Sequence, residues 1–372
     1  MNAVIRSTGL WVPDETISND ELVDCYNSWV ARDNEKHAGE IANGTRDPKN
    51  PSSSAFIEKA SGIKSRYTVN KSGCLDVDRM RPLLPRRSDD ELCLMAEAGV
   101  AAAREALAVA DRDPSEIDAV ICAATTMERT YPCIAIEIQN ELGIDGFAYD
   151  MSVACSSGTF GIISAVNMIA TGQAKSVLLV TPEITTPQLN FRDRDSHFIF
   201  GDVAVAMLIE AEDVAGDGNG WSIIGTRMMT KFSNTIRSNL GYLNASHDPE
   251  PAFEERYFSQ EGRRVFKEVC PMVAALILEE LGKLDLGPEN MKRLWLHQAN
   301  INMNMMVARK VYGRDFTEEE APVVLDEFAN IAGAGSLVAF HRHHEGIAPG
   351  EKGVICSFGA GYSAGTVFVE KR

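Results

Sequence analysis

The chain has no Cys-x-x-Cys pair, no uninterrupted apolar run long enough to cross a bilayer, and too few cations to balance its acids. Each absence removes a class of function. Without paired cysteines, the eight thiols at 25, 74, 93, 122, 133, 155, 270 and 356 read as reduced rather than disulfide-bonded, and structural zinc is disfavoured for the same reason. With no basic, apolar leader and no span of ~20 apolar residues, the expectation is a cytoplasmic protein with no membrane association. Against 53 Asp and Glu stand 36 Lys and Arg, and the formal charge of -17 opposes general binding to nucleic acid or anionic lipid. An acidic partner would need a local basic patch.

What is present predicts layered α/β structure. At 372 residues and 45% hydrophobic, the chain exceeds one ordinary core, so two domains or a duplicated one are expected. Apolar runs of strand length at 3–12, 117–124, 147–151, 176–182 and 203–210 alternate with helical periodicity at 89–110, 131–142 and 155–172. Strands that are apolar on both faces imply a parallel or mixed sheet covered on both sides. An acidic, Gly-rich stretch at 211–220 is the best boundary, giving halves 1–215 and 216–372. The second half repeats the order, with strands at 221–225, 293–296, 353–357 and 366–370 and helices at 259–281, 300–311 and 336–345. Two polar excursions, 31–54 and 231–255, interrupt the pattern.

The sequence around Cys155 carries the strongest chemical signal. A strand stops at the cysteine and a helix of small and apolar residues begins, so the thiol meets the unpaired N–H groups and positive end of that helix. Such a place lowers a thiol's pKa and offers donors to an acyl oxygen held on sulfur. A small buried hydrophobe at a tight junction fits the same local sequence, which leaves both readings open. In the second half, His297 follows Leu294-Trp295-Leu296 and Asn330 precedes a small-residue stretch, both where strands end and where open α/β folds gather their sites. Taken singly, they also fit a structural donor and a helix cap. His341, His343 and His344 lack a nearby carboxylate or cysteine in ligand spacing, and no metal site is assigned to them.

Five motifs together resemble the type III β-ketoacyl-acyl-carrier-protein synthases of the thiolase-like superfamily. They are Val153-Ala154-Cys155-Ser156-Ser157-Gly158, Phe200-Gly201-Asp202, His297-Gln298-Ala299-Asn300, Asn330 with its small-residue tail, and Phe358-Gly359-Ala360-Gly361-Tyr362. The resemblance covers nearly the whole chain. It implies a thiolase-like, duplicated αβαβα five-layer fold, a homodimer, and a Cys155-His297-Asn330 triad between the halves. By the same resemblance, Cys155 takes an acyl group from a thioester, and the backbone N–H groups of Cys155 and of the turn at Gly359, Ala360 and Gly361 form an oxyanion hole. A malonyl thioester on acyl carrier protein then loses carbon dioxide, and neutral donors from His297 and Asn330 stabilise the enolate. No metal, flavin or nucleotide redox cofactor is required; acyl-coenzyme A or an acyl-carrier thioester is substrate.

Tyr131 and Phe200 are placed by the resemblance at the acyl pocket, Tyr131 reaching across the dimer, and Lys267, Arg309 and Lys310 at the carrier-protein docking site. Two departures weaken the coenzyme A contacts, Phe56 in place of the usual tryptophan and Ala60 in place of a usual arginine, and Asn302, where an arginine commonly follows the histidine motif, weakens one carrier contact. Acyl transfer without decarboxylation, condensation of two larger acyl units, and a non-catalytic carrier-binding scaffold are the alternatives.

Overall fold

A computed structural model describes residues 3–216, 218–239 and 241–372. Nine strands form one continuous mixed sheet. They are β1 (Ala3–Trp11), β2 (Ala119–Ala123), β3 (Phe147–Met151), β4 (Ser176–Glu183), β5 (Val203–Ala211), β6 (Trp221–Ser233), β7 (Met291–Leu296), β8 (Lys352–Gly359) and β9 (Gly361–Lys371). Their order across the sheet is β7-β8-β9-β6-β1-β5-β4-β2-β3.

That order contains a duplication. In the first half β2 runs parallel to β4, β4 antiparallel to β5, and β5 antiparallel to β1. In the second half β7 runs parallel to β8, β8 antiparallel to β9, and β9 antiparallel to β6. Each first-half strand of this sheet except β3 thus has a counterpart with the same pairing. The halves join where β1 meets β6, with Val4 opposite Ser222 and Ile5 opposite Trp221.

Helices complete five layers. The outer pair of the first half is α3 (Leu94–Ala110) with α4 (Ile134–Leu142), and that of the second half is α6 (Gly262–Lys283) with α7 (Ile301–Tyr312). Between the two half-sheets lie α5 (Ser157–Thr171) and α8 (Gly335–His343), whose Ile162, Val166, Leu337 and Phe340 belong to one central core with Ile121, Leu179, Ile355 and Val367. The segment Ala154–Thr171 is long and apolar enough to pass for a membrane span by composition. Its apolarity has a different cause: α5 packs against sheet on two sides, so no face of it needs to be polar.

A cap covers one end of the layers, built from α1 (Asn19–Lys36), α2 (Ser54–Ser61) and the loop before β5, around Ile17, Leu22, Ile57, Phe198 and Phe200. The stretch 31–54 differs from its expectation. A Ser18–Glu21 capping box starts α1, which continues to Lys36, because the polar residues of its last turns face water rather than leave the helix. Strand β6 runs to Ser233, beyond the expected end at 225; its outer half pairs with β9 while its alternate residues are exposed, which hid it among polar residues.

The C-terminal end of α8 explains its histidines. The Nδ1 of His341 lies 2.8 Å from the Thr8 hydroxyl, His344 stacks on Phe340, and the His343 carbonyl accepts from Arg293 and Trp295. Among the described residues no three metal-ligating groups converge.

Candidate active site

Two strand ends, a loop after a short helix (Leu325–Phe328) and one hairpin deliver the site. Cys155 lies in the tight connection from β3 to α5, one residue before the helix N-cap, Ser156. Its predecessor Ala154 has φ +47°, a left-handed conformation that a side chain adopts only when its surroundings hold it there. The Ser157 hydroxyl holds it: it donates to the carbonyls of Ala124 and Ala154 and accepts from the Val153 N–H.

His297 extends β7 by one residue, its N–H donating to the Cys356 carbonyl at 2.8 Å. The other residues of its motif are structural. Gln298 bonds the Leu296 carbonyl and the Val324 N–H, while Asn300 caps α7 and reaches the Ala60 carbonyl in the cap.

Asn330 is held by the Phe200-Gly201-Asp202 motif. Its N–H donates to the Ile199 carbonyl at 2.9 Å and it bridges Phe200 as a short parallel pair. The Asp202 carboxyl fixes that loop by accepting from Val69, Thr185 and Thr186. Ala329 and Ala332, on either side, have φ +59° and +45°. The Asn330 Oδ1 accepts from the Ala332 N–H at 3.0 Å, so its amide nitrogen is the end left to meet a ligand.

Cys155, His297 and Asn330 all line one cavity of about 800 Å³, with Phe56, Phe198, Phe258, Phe266 and Phe358 among its other walls. The hairpin between β8 and β9 closes its inner end. A Cβ at Gly359 would fall 2.5 Å from the Cys155 Cβ and 3.0 Å from its Sγ, so only glycine fits there. The backbone N–H of Ala360, the residue after Gly359, lies near enough to the Cys155 sulfur to favour its anion. The site thus holds a thiol, a ring nitrogen and an amide around one apolar space, with backbone donors at the sulfur.

Burial reverses the expected charge state of the thiol. It pushes Cys155 up to about 12, the nearby Glu183 carboxyl raises it further, and the N–H groups of Ala360 and Cys155 only partly oppose this. The helix end was expected to dominate, but a sulfur enclosed by the hairpin loses more solvation than those dipoles return. Burial likewise pushes His297 down to about 3, and its Nδ1 is buried without a partner. Both groups rest neutral near pH 7.

A stability prediction follows for His297. The unfolded imidazole, near 6.5, binds protons that the folded one refuses, so its contribution is complete above pH 6.5 and is lost as pH falls towards 3. The loss is about 1.4 kcal/mol per pH unit. Glu183, raised to about 8 by burial, works in the opposite direction, so the difference between chains isolates the histidine. Urea unfolding from pH 6.5 to 4.5 should show a slope smaller by that amount in His297→Gln than in wild type.

Other expected positions fall elsewhere. Phe200 is buried but stands behind Phe258, ring centroids 4.8 Å apart, and does not line the cavity, because its backbone is committed to Asn330. Tyr131 is 79% exposed and contributes nothing to the cavity of its own chain. Lys267 lines the mouth, whereas Arg309, paired with Asp315, and Lys310 lie in the last turn of α7, outside it. Gly361, at φ +128°, serves the hairpin turn. The guanidinium of Arg194 lies 4.1 Å over the ring of Phe56, which lines the cavity, a contact between residues too distant in sequence to be read there.

Comparison with known proteins gives concordant matches. The family model for 3-oxoacyl-[acyl-carrier-protein] synthase III matches residues 149–231, and that for its C-terminal part matches residues 281–371. A beta-ketodecanoyl-[acyl-carrier-protein] synthase of Pseudomonas aeruginosa is 52% identical over 350 residues, covering 94% of this chain and 100% of the relative. A beta-ketoacyl-[acyl-carrier-protein] synthase III of Chelativorans is 30% identical over 76% of this chain and 85% of its own length. The crystal structure of a 3-oxoacyl-[acyl-carrier-protein] synthase III from Aquifex aeolicus superposes with a TM-score of 0.76 at 22% identity, covering 99% of each chain. Its likeness supports the thiolase-like fold.

Proposed function

Because the chain belongs to the 3-oxoacyl-[acyl-carrier-protein] synthase III family, the condensing enzymes of fatty-acid synthesis, we propose that Cys155, His297 and Asn330 perform its two half-reactions. The observation that carries this is their convergence on one cavity. In the first half-reaction the Cys155 sulfur attacks an acyl thioester, the N–H groups of Cys155 and Ala360 take up the developing oxyanion, and the thiol proton leaves with the departing thiolate. Since both thiol and imidazole rest neutral, proton loss accompanies attack rather than preceding it. In the second, the malonyl thioester loses carbon dioxide, and its enolate oxygen accepts from the His297 ring and the Asn330 amide. The enolate carbon then attacks the acyl carbonyl, the C–S bond breaks, and the β-ketoacyl thioester departs while the Cys155 thiolate takes a proton from water.

The primer in this reading is a medium-length acyl group. A β-ketodecanoyl product, the one named for the 52% identical relative, has ten carbons, of which malonyl supplies two, leaving eight for the primer. The phenylalanine-lined cavity supports the same choice, since its volume lies in the range of about 300–1,000 Å³ that holds whole ligands. Each methylene it covers should add about 0.8 kcal/mol, roughly fourfold. With malonyl-acyl carrier protein and a series of primers on coenzyme A and on carrier protein, kcat/KM should climb with length to eight carbons and then fall. An optimum at acetyl would refute a medium-chain primer, and the two donor series identify the carrier.

The finer partnerships belong to the same reading. The edge strand β3, with Tyr131, Ile136 and Phe147 exposed nearby, is an unpaired apolar margin suited to a second copy of the chain, where Tyr131 would serve the partner's pocket. Lys267 at the mouth, with Arg309 and Lys310 on α7, would receive the acidic carrier. The division between halves falls at 215 and 216, between β5 and β6.

A further inference from the structure

Glu183 is a buried carboxyl to which the reaction above gives no part. It ends β4, all eight residues of which are buried. Its Oε1 accepts three hydrogen bonds: from the Thr125 N–H at 2.8 Å, the Thr125 hydroxyl at 2.9 Å and the Gly333 N–H at 2.9 Å. Thr125 follows β2 in the first half, and its carbonyl accepts from Ser152, three residues before the cysteine. Gly333 belongs to the second half, three residues after Asn330. A Cβ on it would lie 2.7 Å from the same Oε1 and 3.4 Å from the Ala154 carbonyl oxygen, so the Asn330 loop rests directly on the nucleophile's loop at the carboxyl.

We propose that Glu183 is a positioning residue that ties the Asn330 loop to the Cys155 loop and whose charge sets the reactivity of the thiol. The inference rests on the reading of Cys155 as the acylated residue. Three donors on one oxygen hold the spacing between a nucleophile from one half and an enolate donor from the other, and a buried oxygen with those partners has no cheap alternative arrangement. The charge matters separately. Cys155 and, on β2, Cys122 are titratable groups that feel the carboxyl, while Thr125 and Gly333 are uncharged. Burial raises Glu183 to about 8, against the pull of its three donors. Below that pH the neutral acid leaves the sulfur free to gain negative charge on attack; above it, the anion opposes that charge.

Alkylation of Cys155 by iodoacetamide, followed by peptide mass spectrometry of the whole chain, reads the thiol without any acyl substrate. It therefore stands or falls apart from the condensation itself. Glu183→Gln keeps an oxygen for the same three donors and removes the charge, so its rate-against-pH curve should move about one unit toward acid. Thr125→Val takes one donor from Oε1 and destabilises the anion, so the slowing that follows Glu183 ionisation should move to higher pH. Curves that coincide with wild type in both variants overturn the role of the charge. For positioning, Glu183→Ala should lose at least tenfold in condensation kcat and Glu183→Gln should restore most of it; an alanine variant with wild-type kcat overturns the clamp.

Discussion

Cys155→Ala should lose C–C bond formation by at least about 10⁴-fold in kcat/KM, the scale on which removal of an enzyme nucleophile is felt. The substitution shortens a side chain beside Gly359 and leaves the elbow's hydrogen bonds, made by Ser157, in place, so the fold should survive with an unchanged unfolding midpoint. The covalent step has no substitute in this cavity. The other cysteines do not line it, and Cys122 and Cys356, driven still higher by burial, are sealed in strands. Malonyl decarboxylation is a different matter: His297 and Asn330 remain, so slow release of carbon dioxide without condensation should persist. The assay is β-ketoacyl product and carbon dioxide measured together; condensation retained at wild-type rate would exclude Cys155 as the nucleophile.

Asn330→Ala and His297→Ala should divide the reaction in the opposite way. Each removes one neutral donor from the enolate oxygen and should slow condensation by roughly 10²- to 10³-fold. Acylation of Cys155, served by backbone N–H groups of its own loop and the hairpin, should fall far less. Asn330→Asp is the sharper variant: Oδ1 can still accept from Ala332, but the other oxygen now presents charge or an acceptor to an enolate. It should be at least as slow as alanine. Rapid quench of pre-acylated chain with malonyl-acyl carrier protein separates the two steps; equal losses in both would mean that these side chains act on the fold and not on the enolate.

The parts legible in the sequence were those with a local cause. Strand ends marked Cys155 and His297, and alternating apolar runs marked the layers, whereas Asn330, expected at a strand end, follows the short helix Leu325–Phe328 and makes only an isolated bridge with Phe200. The backbone bridge from Phe200 to Asn330 is a part of its motif that a side-chain reading misses. The charge of Cys155 was misjudged because the helix end is visible in the sequence, while the enclosure that outweighs it comes from a hairpin 204 residues away, at Gly359. Glu183 was invisible for the same reason. Its partners are 58 and 150 positions distant, and Thr-Pro-Glu at a strand's end reads as the start of a loop. The strained alanines at 154, 329 and 332 give no sign in sequence, since nothing in an alanine announces a left-handed backbone.

The most direct test is intact-protein mass spectrometry of the chain mixed first with an octanoyl thioester and then with malonyl-acyl carrier protein. One octanoyl group should appear on wild type, map to Cys155, be absent from Cys155→Ala, and disappear on the second addition as β-ketodecanoyl product forms. An octanoyl group that attaches elsewhere, or one that stays on Cys155 while product accumulates, would contradict it.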